Sequence, residues 1–476
     1  MKTQISIGLC LLSAFLLAQK QNNKPNIVVF IADDLGMDLS CYGTKGIKTP
    51  NIDKLAHEGV MFTNMFHTAP QSSPSRTCMM SGQFAHTIGT EDLHVGINDT
   101  TKLLPYYLKQ AGYHTGILLK THIGEKGSAQ YDYYDNGAFD YFTGNYSIEK
   151  MLGNIDNFLN QKKEKPFFLW CGFIDPHRPY TNDEIKRNIA PEVTNPNDIK
   201  VPPFMINDKQ TRKDLAHYYD EIVRLDAHVG RIMDTLESRG LLENTLILFL
   251  SDNGSPMPRS KGFLYDSGIR SPFIAYWKNK TLQNVRYENL SSTIDIAPTI
   301  LDVAGLSIPA HMYGKSMKPA FNDLNTPGYE YVFSERNWHG TDEHIQSVRT
   351  EKYKMIVNEY PYLPVGNISD LAESGAWFSL LKAYRNSKLK QNYWQNFKFP
   401  RTQVEIYDLE NDPNELHNLA EDGSWESFRI SKLLLPLLDK WKNETKDIPS
   451  YQRKRTDKSD RLTGLPFTKI VHSYND

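Results

Sequence analysis

The segment NIVVFIADD, residues 26–34, is the clearest indication of the fold. It is a run of apolar, largely β-branched residues that ends in two aspartates, Asp33 and Asp34. FFLWCGFIDPH (167–177) and TLILFLSDNG (245–254) repeat the design, with an apolar run before polar residues. Unbroken apolar runs of this length are typical of strands that a parallel sheet buries on both faces. The sequence therefore predicts a sheet built around these three strands.

Helical periodicity fills the sequence between the strands. The segments with this periodicity are 51–60, 103–112, 148–163, 212–240 and 295–305. Strands that alternate with helices predict an α/β fold, with ligands at the carboxyl ends of the strands.

The pattern changes after about residue 335. Short alternating runs at 347–358 and 403–411 precede an amphipathic segment at 430–444. These features predict a smaller α+β subdomain, so we divide the mature chain into a catalytic domain (24–335) and a C-terminal subdomain (336–476). The stretch 359–402, rich in Pro, Tyr, Asn and Lys, is predicted to be an insertion or a long connection.

The composition is that of a globular protein with no dominant charge. The 476 residues include 54 Lys and Arg against 56 Asp and Glu, a formal net charge of −2, so no overall field points to a nucleic-acid partner. The first residues, with Lys2, an apolar run and Ala18, predict a secretory signal over residues 1–18, too short for a membrane span. Cys41, Cys78 and Cys171 are too few for a disulfide framework.

Acidic and amide side chains end two of the predicted strands. Asp33 and Asp34 end the first, and Asp252 and Asn253 end the third. Oxygen ligands of this kind are preferred by Ca²⁺ or Mg²⁺. Acidic strand ends also occur as ordinary turns, which is the competing interpretation.

Cations and imidazoles near these strand ends could hold and transfer an anionic group. They are Arg76, Lys120, His122, His177 and Lys261. With a divalent metal, such a set suits the transfer of a tetrahedral oxyanion, phosphoryl or sulfuryl. The alternative is that each is a solvated surface cation or a structural histidine.

The segment QSSPSR (71–76) offers three serines, and a plain serine without a base is a poor nucleophile. Ser72-Ser73-Pro74-Ser75-Arg76, followed by Thr77 and Ser81-Gly82, resembles the signature of the type I sulfatases, which belong to the alkaline phosphatase-like superfamily. Other segments that resemble the family follow in its order: IADDLG, KTHIG, DPH, SDNG, GIRSPF and YDLENDPNELHNLA. The resemblance runs from about residue 25 to about residue 445.

The resemblance implies a fold, a nucleophile and a metal site. The fold would be a large, mostly parallel sheet flanked by helices, with a smaller C-terminal α+β subdomain that carries a short antiparallel sheet. Ser72 would be oxidised after translation to formylglycine. Asp33, Asp34, Asp252 and Asn253 would bind the metal together with residue 72. The metal is usually Ca²⁺ in this family, with Mg²⁺ as the alternative, and Asp252 would also be the base that readies the attack.

The same resemblance implies catalytic roles for the cations and imidazoles. Arg76 and Lys120 would steady the hydrated aldehyde, and His122 would draw a proton from its second hydroxyl to expel sulfate. His177 and Lys261 would hold the substrate's sulfate, with His177 as the acid for the leaving atom. A geminal diol can release sulfate through its own remaining hydroxyl, which an alcohol cannot do.

Serine rather than cysteine at position 72 resembles enzymes that a radical-SAM maturing enzyme activates in anaerobic bacteria. The resemblance therefore implies a transient maturing partner, a sulfated saccharide substrate and a periplasmic location. Residues 201–245, 251–262 and 91–99 look similar to the N-sulfoglucosamine sulfohydrolase branch, although Lys261 stands where that branch carries Arg and where O-sulfatases generally carry Lys. N-sulfate and O-sulfate therefore both stay open.

Loop residues beside the inferred site are candidates for contacts with the sugar, because specificity usually resides in loops. They are His94, Arg178, Glu335, Arg336 and His339. The alternative is that they are surface residues without a special role. Two other functions also stay open, a phosphatase or phosphodiesterase of the same fold, and a glycan-binding protein whose Ser72 is never oxidised.

Overall fold

A computed structural model describes residues 24–135, 139–140, 145–180, 194–448 and 455–468. The predicted signal at 1–18 lies outside these residues. The strands are β1 (Asn26–Ala32), β2 (Val60–Phe66), β3 (His114–Leu119), β4 (Tyr133–Asp135), β5 (Phe139–Asp140), β6 (Asn145–Tyr146), β7 (Phe167–Gly172), β8 (Thr245–Ser251), β9 (Arg270–Trp277), β10 (Val285–Tyr287), β11 (Ser291–Ser292), β12 (Tyr331–Arg336), β13 (Ile345–Thr350), β14 (Tyr353–Asn358) and β15 (Val404–Asp408).

The α-helices connect and cover these strands. They are α1 (Pro50–His57), α2 (Ser72–Ser81), α3 (Leu104–Gln110), α4 (Glu125–Ser128), α5 (Ile148–Asn160), α6 (Lys209–Ser238), α7 (Asp266–Ile269), α8 (Ile296–Val303), α9 (Gly375–Arg385) and α10 (Trp425–Thr445). Within the described residues, none of the helices is long and apolar enough to cross a membrane.

A nine-stranded sheet forms the large layer, in the order β10-β2-β9-β8-β1-β7-β3-β4 with β11 beside β2. All its pairings are parallel except those of β9, which runs antiparallel to β2 and β8. The three predicted apolar strands are neighbours, because β1 lies between β7 and β8. The α/β prediction is confirmed.

Strand β1 shows why its sequence is apolar without interruption. Val28 and Phe30 pack into the core on the face that α1, α5 and α6 cover, whereas Val29 and Ile31 pack into the core on the face of α2, α3 and α8. Side chains alternate between the faces of a strand, so a sheet with helices on both sides needs apolar residues at every position.

The smaller sheet is antiparallel, with the order β12-β13-β14-β15, as the resemblance implied. The predicted run at 347–358 is a hairpin of two strands, because a tight turn at Glu351 and Lys352 separates β13 from β14. Helix α10 packs on one face of this sheet around Trp441. The predicted boundary at 335 and 336 falls within β12, and the division into two domains stays a prediction.

The segment 359–402 is more than a long connection. It contains α9, which packs against the long helix α6, and a 3-10 helix over Ser369–Glu373. Ser374 caps α9, and its hydroxyl also donates to Asp214 of α6 at 2.9 Å. The segment 359–402 therefore packs against the predicted catalytic domain through α9 and α6.

Candidate active site

The residues at the carboxyl ends of β1 and β8 meet at one edge of the large sheet. The Asp252 backbone N–H donates to the carbonyl of Ala32, and the Asp34 backbone N–H donates to Oδ1 of Asp252 at 3.1 Å. Asp33, Asp34, Asp252 and Asn253 are fully buried. The structure therefore brings together the four residues that the two strand ends supplied.

Helix α2 carries the signature and begins at Ser72. Ser72 Oγ donates to Oδ1 of Asp33 at 3.2 Å, and Ser72 is only 2% exposed. Arg76 follows four residues later, so it lies on the same face of the helix. The first turn of a helix also presents backbone N–H groups and the positive end of the helix dipole, which favours negative charge at residue 72.

This helix could not be predicted from periodicity, because all ten of its residues are buried. A helix that is covered all round has no solvent-exposed face, so its polar and apolar residues need not segregate, and the amphipathic pattern on which helix prediction depends is missing. The left-handed Gly82 ends it, with its backbone N–H donating to the carbonyl of Cys78.

Arg76 connects three strand ends. Its Nε donates to Oδ2 of Asp252 at 2.9 Å, its Nη1 donates to the carbonyl of Lys120 at 3.0 Å, and its Nη2 lies 3.9 Å from Oδ1 of Asp33. Gly172, the last residue of β7, makes room for this arrangement. A Cβ at position 172 would lie 2.0 Å from the Lys120 carbonyl oxygen, so a larger residue would displace the backbone.

Two lysines neutralise the paired aspartates. Lys120 Nζ binds Oδ2 of Asp33, and Lys261 Nζ lies 2.8 Å from Asp34 Oδ1. Burial alone would raise the pKa of Asp33, but Lys120 and its other cationic neighbours hold that pKa well below its usual range. Burial raises the pKa of Asp34, against the opposing charge of Lys261.

The donor set fits a divalent cation. Ligand atoms of Asp33, Asp34 and His177 all lie within 4.8 Å of one another, so this group shares two aspartates with the predicted ligand set and adds His177. Asn253 donates from Nδ2 to Oδ1 of Asp34 at 2.8 Å, which leaves its Oδ1 buried without a partner. Buried carboxylates with an unsatisfied amide oxygen are the hard-oxygen environment that Ca²⁺ or Mg²⁺ prefers.

Two histidines near Lys120 form a pair. His94 Nδ1 and His122 Nε2 share a hydrogen bond of 2.7 Å, and the hydroxyl of Ser73 accepts from the His94 backbone N–H at 2.7 Å. Burial and the charge of Lys120 lower the pKa of His122 well below its usual value, so its imidazole is neutral near neutral pH. Asp34, His94 and His122 all have positive φ (70°, 70° and 51°), a strained conformation that clusters at functional sites.

Sequence reasoning missed Asp370. This residue of the 3-10 helix Ser369–Glu373 places Oδ2 at 2.8 Å from Lys261 Nζ and Oδ1 at 3.8 Å from His177 Nε2. Burial would raise its pKa, but Lys261 and its other cationic neighbours hold the pKa below its usual range. A single Asp in a segment without clear periodicity carried no signal for this contact.

His67 was also missed, although a signal existed. It follows β2 directly, as Asp33 follows β1. Its Nδ1 lies 3.2 Å from Ser75 Oγ and its Nε2 lies 2.6 Å from Ser271 Oγ, so it joins the signature helix to β9. Burial lowers the pKa of His67 to about 4.

Among the residues predicted to contact the sugar, His94 lies near Lys120 and Lys261, and His339 lies near Lys261. His339 is buried, with Nδ1 unpaired, and burial and the charge of Lys261 lower its pKa well below its usual value. Arg336 is fully buried and donates from Nη2 to the carbonyl of Gly366, while its Nε and Nη1 lack partners.

Two other predicted sugar contacts have protein partners. The Arg178 guanidinium forms two hydrogen bonds to Asp214, at 2.7 and 2.9 Å. Glu335 accepts from His86 Nδ1 at 2.9 Å and from Asn337 Nδ2 at 2.9 Å. These contacts support structural roles for both side chains, and we leave them out of the proposed sugar contacts.

The profile described as "Sulfatase" matches residues 25–306, more than half of the chain. The chain belongs to the sulfatase family. A second profile, described as "N-sulphoglucosamine sulphohydrolase, C-terminal", matches residues 259–376 of the sulfatase, the part that contains Lys261 and Asp370. The family assignment makes this protein a sulfuric ester hydrolase.

Relatives resemble this sulfatase over nearly its whole length. Human N-sulphoglucosamine sulphohydrolase is 29% identical over 89% of this chain and 90% of its own, and N-acetylglucosamine-6-O-sulfatase of Bacteroides thetaiotaomicron is 25% identical over 94% and 92%. A solved structure described as a complex with its substrate D-glucosamine-2-N,6-O-disulfate has a TM-score of 0.68 at 22% identity, covering 90% of this chain and 99% of that one. The fold is therefore that of known sulfatases.

Proposed function

We propose that this sulfatase removes sulfate from a terminal sugar of a sulfated glycan of the glycosaminoglycan type, with Ser72 oxidised to formylglycine as its nucleophile. The observation that carries the proposal is the position of Ser72, at the first turn of α2 and 3.2 Å from Asp33 Oδ1. Because residue 72 is only 2% exposed, a chain end reaches it more readily than the middle of a long polymer, which favours exo action.

The oxidised residue would supply a hydrated aldehyde that attacks sulfur and then releases sulfate through its second hydroxyl. Arg76 and Lys120 would hold the negative charge that develops at residue 72, since both cations already bind Asp33 or Asp252 beside it. His122 would take the proton of the second hydroxyl at an unprotonated ring nitrogen.

His177 and Lys261 would hold the sulfate and complete the reaction at the leaving atom. Lys261 is almost fully buried and paired, which fixes its ammonium for contact with sulfate oxygens. His177 Nδ1 is bound to the carbonyl of Arg178, so Nε2 would donate to the leaving oxygen or nitrogen.

The metal would be Ca²⁺, with Mg²⁺ as the alternative, and Asp33, Asp34, Asp252 and Asn253 would hold it with residue 72. Bound there, it would act as a Lewis acid that stabilises negative charge. Electrostatics support this assignment, because Asp370 and the three metal-site aspartates together outnumber Arg76, Lys120 and Lys261. A divalent cation would reverse that balance and make the site attractive to a sulfate anion.

The sugar would be a glucosamine. The human relative is named for N-sulphoglucosamine and the Bacteroides relative for N-acetylglucosamine 6-sulfate. Removal of the N-linked sulfate is the second candidate reaction, favoured by the profile match over residues 259–376. Lys261 favours the O-sulfatase, since O-sulfatases generally carry Lys at that position and the N-sulfatase branch carries Arg.

A substrate screen tests both reactions. Matured enzyme is assayed on glucosamine carrying one sulfate at the N, 3-O or 6-O position, and on galactose 2-, 4- and 6-sulfates. We expect turnover of at least one glucosamine sulfate, and the position released assigns N- or O-sulfatase activity. Faster hydrolysis of 4-nitrophenyl phosphate than of 4-nitrophenyl sulfate would contradict the proposal in favour of a phosphatase.

The maturation and location of the protein follow the same proposal. We propose export to the periplasm of an anaerobic bacterium and oxidation of Ser72 by a radical-SAM maturing enzyme. Activity in a heterologous host should then require that a serine-type maturing enzyme is co-expressed. Full activity in its absence would contradict this maturation route.

A further inference from the structure

Asp370 differs from the aspartates of the predicted metal site because its carboxylate reaches solvent. Its side chain is 14% exposed, whereas those of Asp33 and Asp34 are fully buried. It contacts both groups that would hold the sulfate, Lys261 at 2.8 Å and His177 at 3.8 Å. A substrate whose sulfate lies between these two groups therefore brings the neighbouring part of its sugar against Asp370.

Lys261 does not require Asp370 as a charge partner. Lys261 Nζ is already 2.8 Å from Asp34, so its charge is compensated without Asp370. A second negative charge beside a sulfate site repels the anion, and a carboxylate is a strong acceptor for a hydroxyl or N–H group. A partly exposed carboxylate in this position is suited to accept a hydrogen bond from the uncharged part of the substrate.

We propose that Asp370 is a specificity-determining residue that accepts a hydrogen bond from the sugar hydroxyl nearest to the sulfate being removed. Its charge selects for a free hydroxyl at that position and against a second sulfate. For an N-sulfated glucosamine the hydroxyl is that on carbon 3, and for a 6-O-sulfated glucosamine it is that on carbon 4. The inference rests on the proposed function and adds the recognition of the group beside the sulfate.

The test compares three sugars for whichever glucosamine sulfate the wild type hydrolyses. The first has the free hydroxyl next to the sulfate, and the second is the analogue that lacks this hydroxyl. The third carries a second sulfate in place of the hydroxyl (the N,3-O-disulfate or the 4,6-O-disulfate of glucosamine). We expect the wild type to prefer the hydroxyl over the deoxy sugar by about 10-fold or more in kcat/KM, since a hydrogen bond to a charged group contributes that much discrimination. Equal kcat/KM values of the wild type for the hydroxyl sugar and the deoxy sugar would overturn the inference.

Asp370→Asn should reduce both preferences. The hydroxyl-to-deoxy ratio should fall by about 10-fold, and the relative rate on the disulfated sugar should rise, because the amide removes the repulsive charge. A matched control, Asp302→Asn, removes an aspartate that pairs with Lys318 at 3.0 Å outside the site, and should keep both ratios.

Assays with 4-nitrophenyl sulfate, which has no sugar hydroxyl, distinguish a failure of this inference from a failure of the proposed function. If Asp370→Asn lowers kcat/KM for all sugars and for the aryl sulfate by one factor, Asp370 acts only through Lys261 and His177, and the inference is overturned while the proposed function stands. A wild type that hydrolyses the aryl sulfate but none of the sugars would overturn the proposed function, and this inference with it.

Discussion

Nδ1 of His94 lies 2.7 Å from Nε2 of His122, and both rings are held where burial and Lys120 disfavour a positive charge. One nitrogen of this contact must be a donor and the other an acceptor, so the two rings share one proton along it. His94 thereby fixes the orientation of the His122 ring and couples the tautomers of the two imidazoles, which suits the base role that we propose for His122.

His122→Ala should therefore stop turnover after the first cycle. Without the base, sulfate is not released, and we expect steady-state turnover to fall about 100-fold to 10,000-fold. Stopped-flow measurement with 4-nitrophenyl sulfate should show a burst of about one equivalent of nitrophenol per active site. His311→Ala, an exposed histidine that contacts Tyr107, is the control and should turn over normally. Loss of the burst as well would place His122 before the cleavage step.

Metal binding should stabilise the folded protein. Ca²⁺ bound by Asp33, Asp34, Asp252 and Asn253 would add about 2.7 kcal/mol at a concentration 100 times its Kd, because only the folded state assembles the site. The melting temperature of chelator-treated protein should rise with added Ca²⁺, and activity should return with it. Asp34→Asn should abolish the rise. An equal rise in Asp34→Asn and in the wild type would contradict the assignment of the metal to this site.

The link between the two sheets depends on a buried lysine. Lys354 of β14 is fully buried and binds Asp266 at 2.5 Å and Glu415 at 2.6 Å. Lys354→Met leaves the buried Glu415 without its cation and leaves Asp266 paired only with Arg349 at 3.1 Å, which should lower the free energy of unfolding by about 3–5 kcal/mol. Urea unfolding measures this loss.

Lys352→Met is the matched control, because Lys352 pairs with Glu410 at 2.7 Å on the surface. Solvent and salt screen such a pair, so its loss should hardly change the unfolding midpoint. Equal midpoints for the two variants would show that Lys354 does not hold the sheets together.

His67 predicts how stability depends on pH. Its pKa is about 4 in the folded protein, against about 6.5 when unfolded, so between these values the unfolded state binds more protons. Stability should therefore fall as pH drops from about 6.5 to about 4, by about 3 kcal/mol from this residue, and the loss should level off below pH 4. His67→Gln, which cannot take up the proton, should show a shallower fall in urea unfolding. Parallel curves would contradict this account.

The strand ends could be predicted because local sequence determines them. A strand buried on both faces must be apolar throughout, so the first polar residues after it, such as Asp33 and Asp252, mark its end. Since parallel strands end at the same edge, the prediction that these residues meet followed from the fold class alone, and the structure places them together.

Helix α2 and Asp370 could not be predicted in the same way. The helix is buried on every side, so its polar and apolar residues are not segregated into the two faces that mark a helix. Asp370 reaches Lys261 only because α9 packs on α6 and fixes the preceding 3-10 helix over the site. Such a contact depends on the packing of distant segments, and nothing in the sequence around Asp370 indicates it.

The mass of the tryptic peptide of residues 55–76 shows whether Ser72 is oxidised, because this peptide contains residue 72. In active enzyme produced with its maturing partner, the peptide should be lighter than the unmodified sequence by two hydrogens, and the extent of conversion should track specific activity. Ser72→Ala should show no conversion and no turnover. Full sulfatase activity with an unmodified serine at position 72 would rule out formylglycine as the nucleophile.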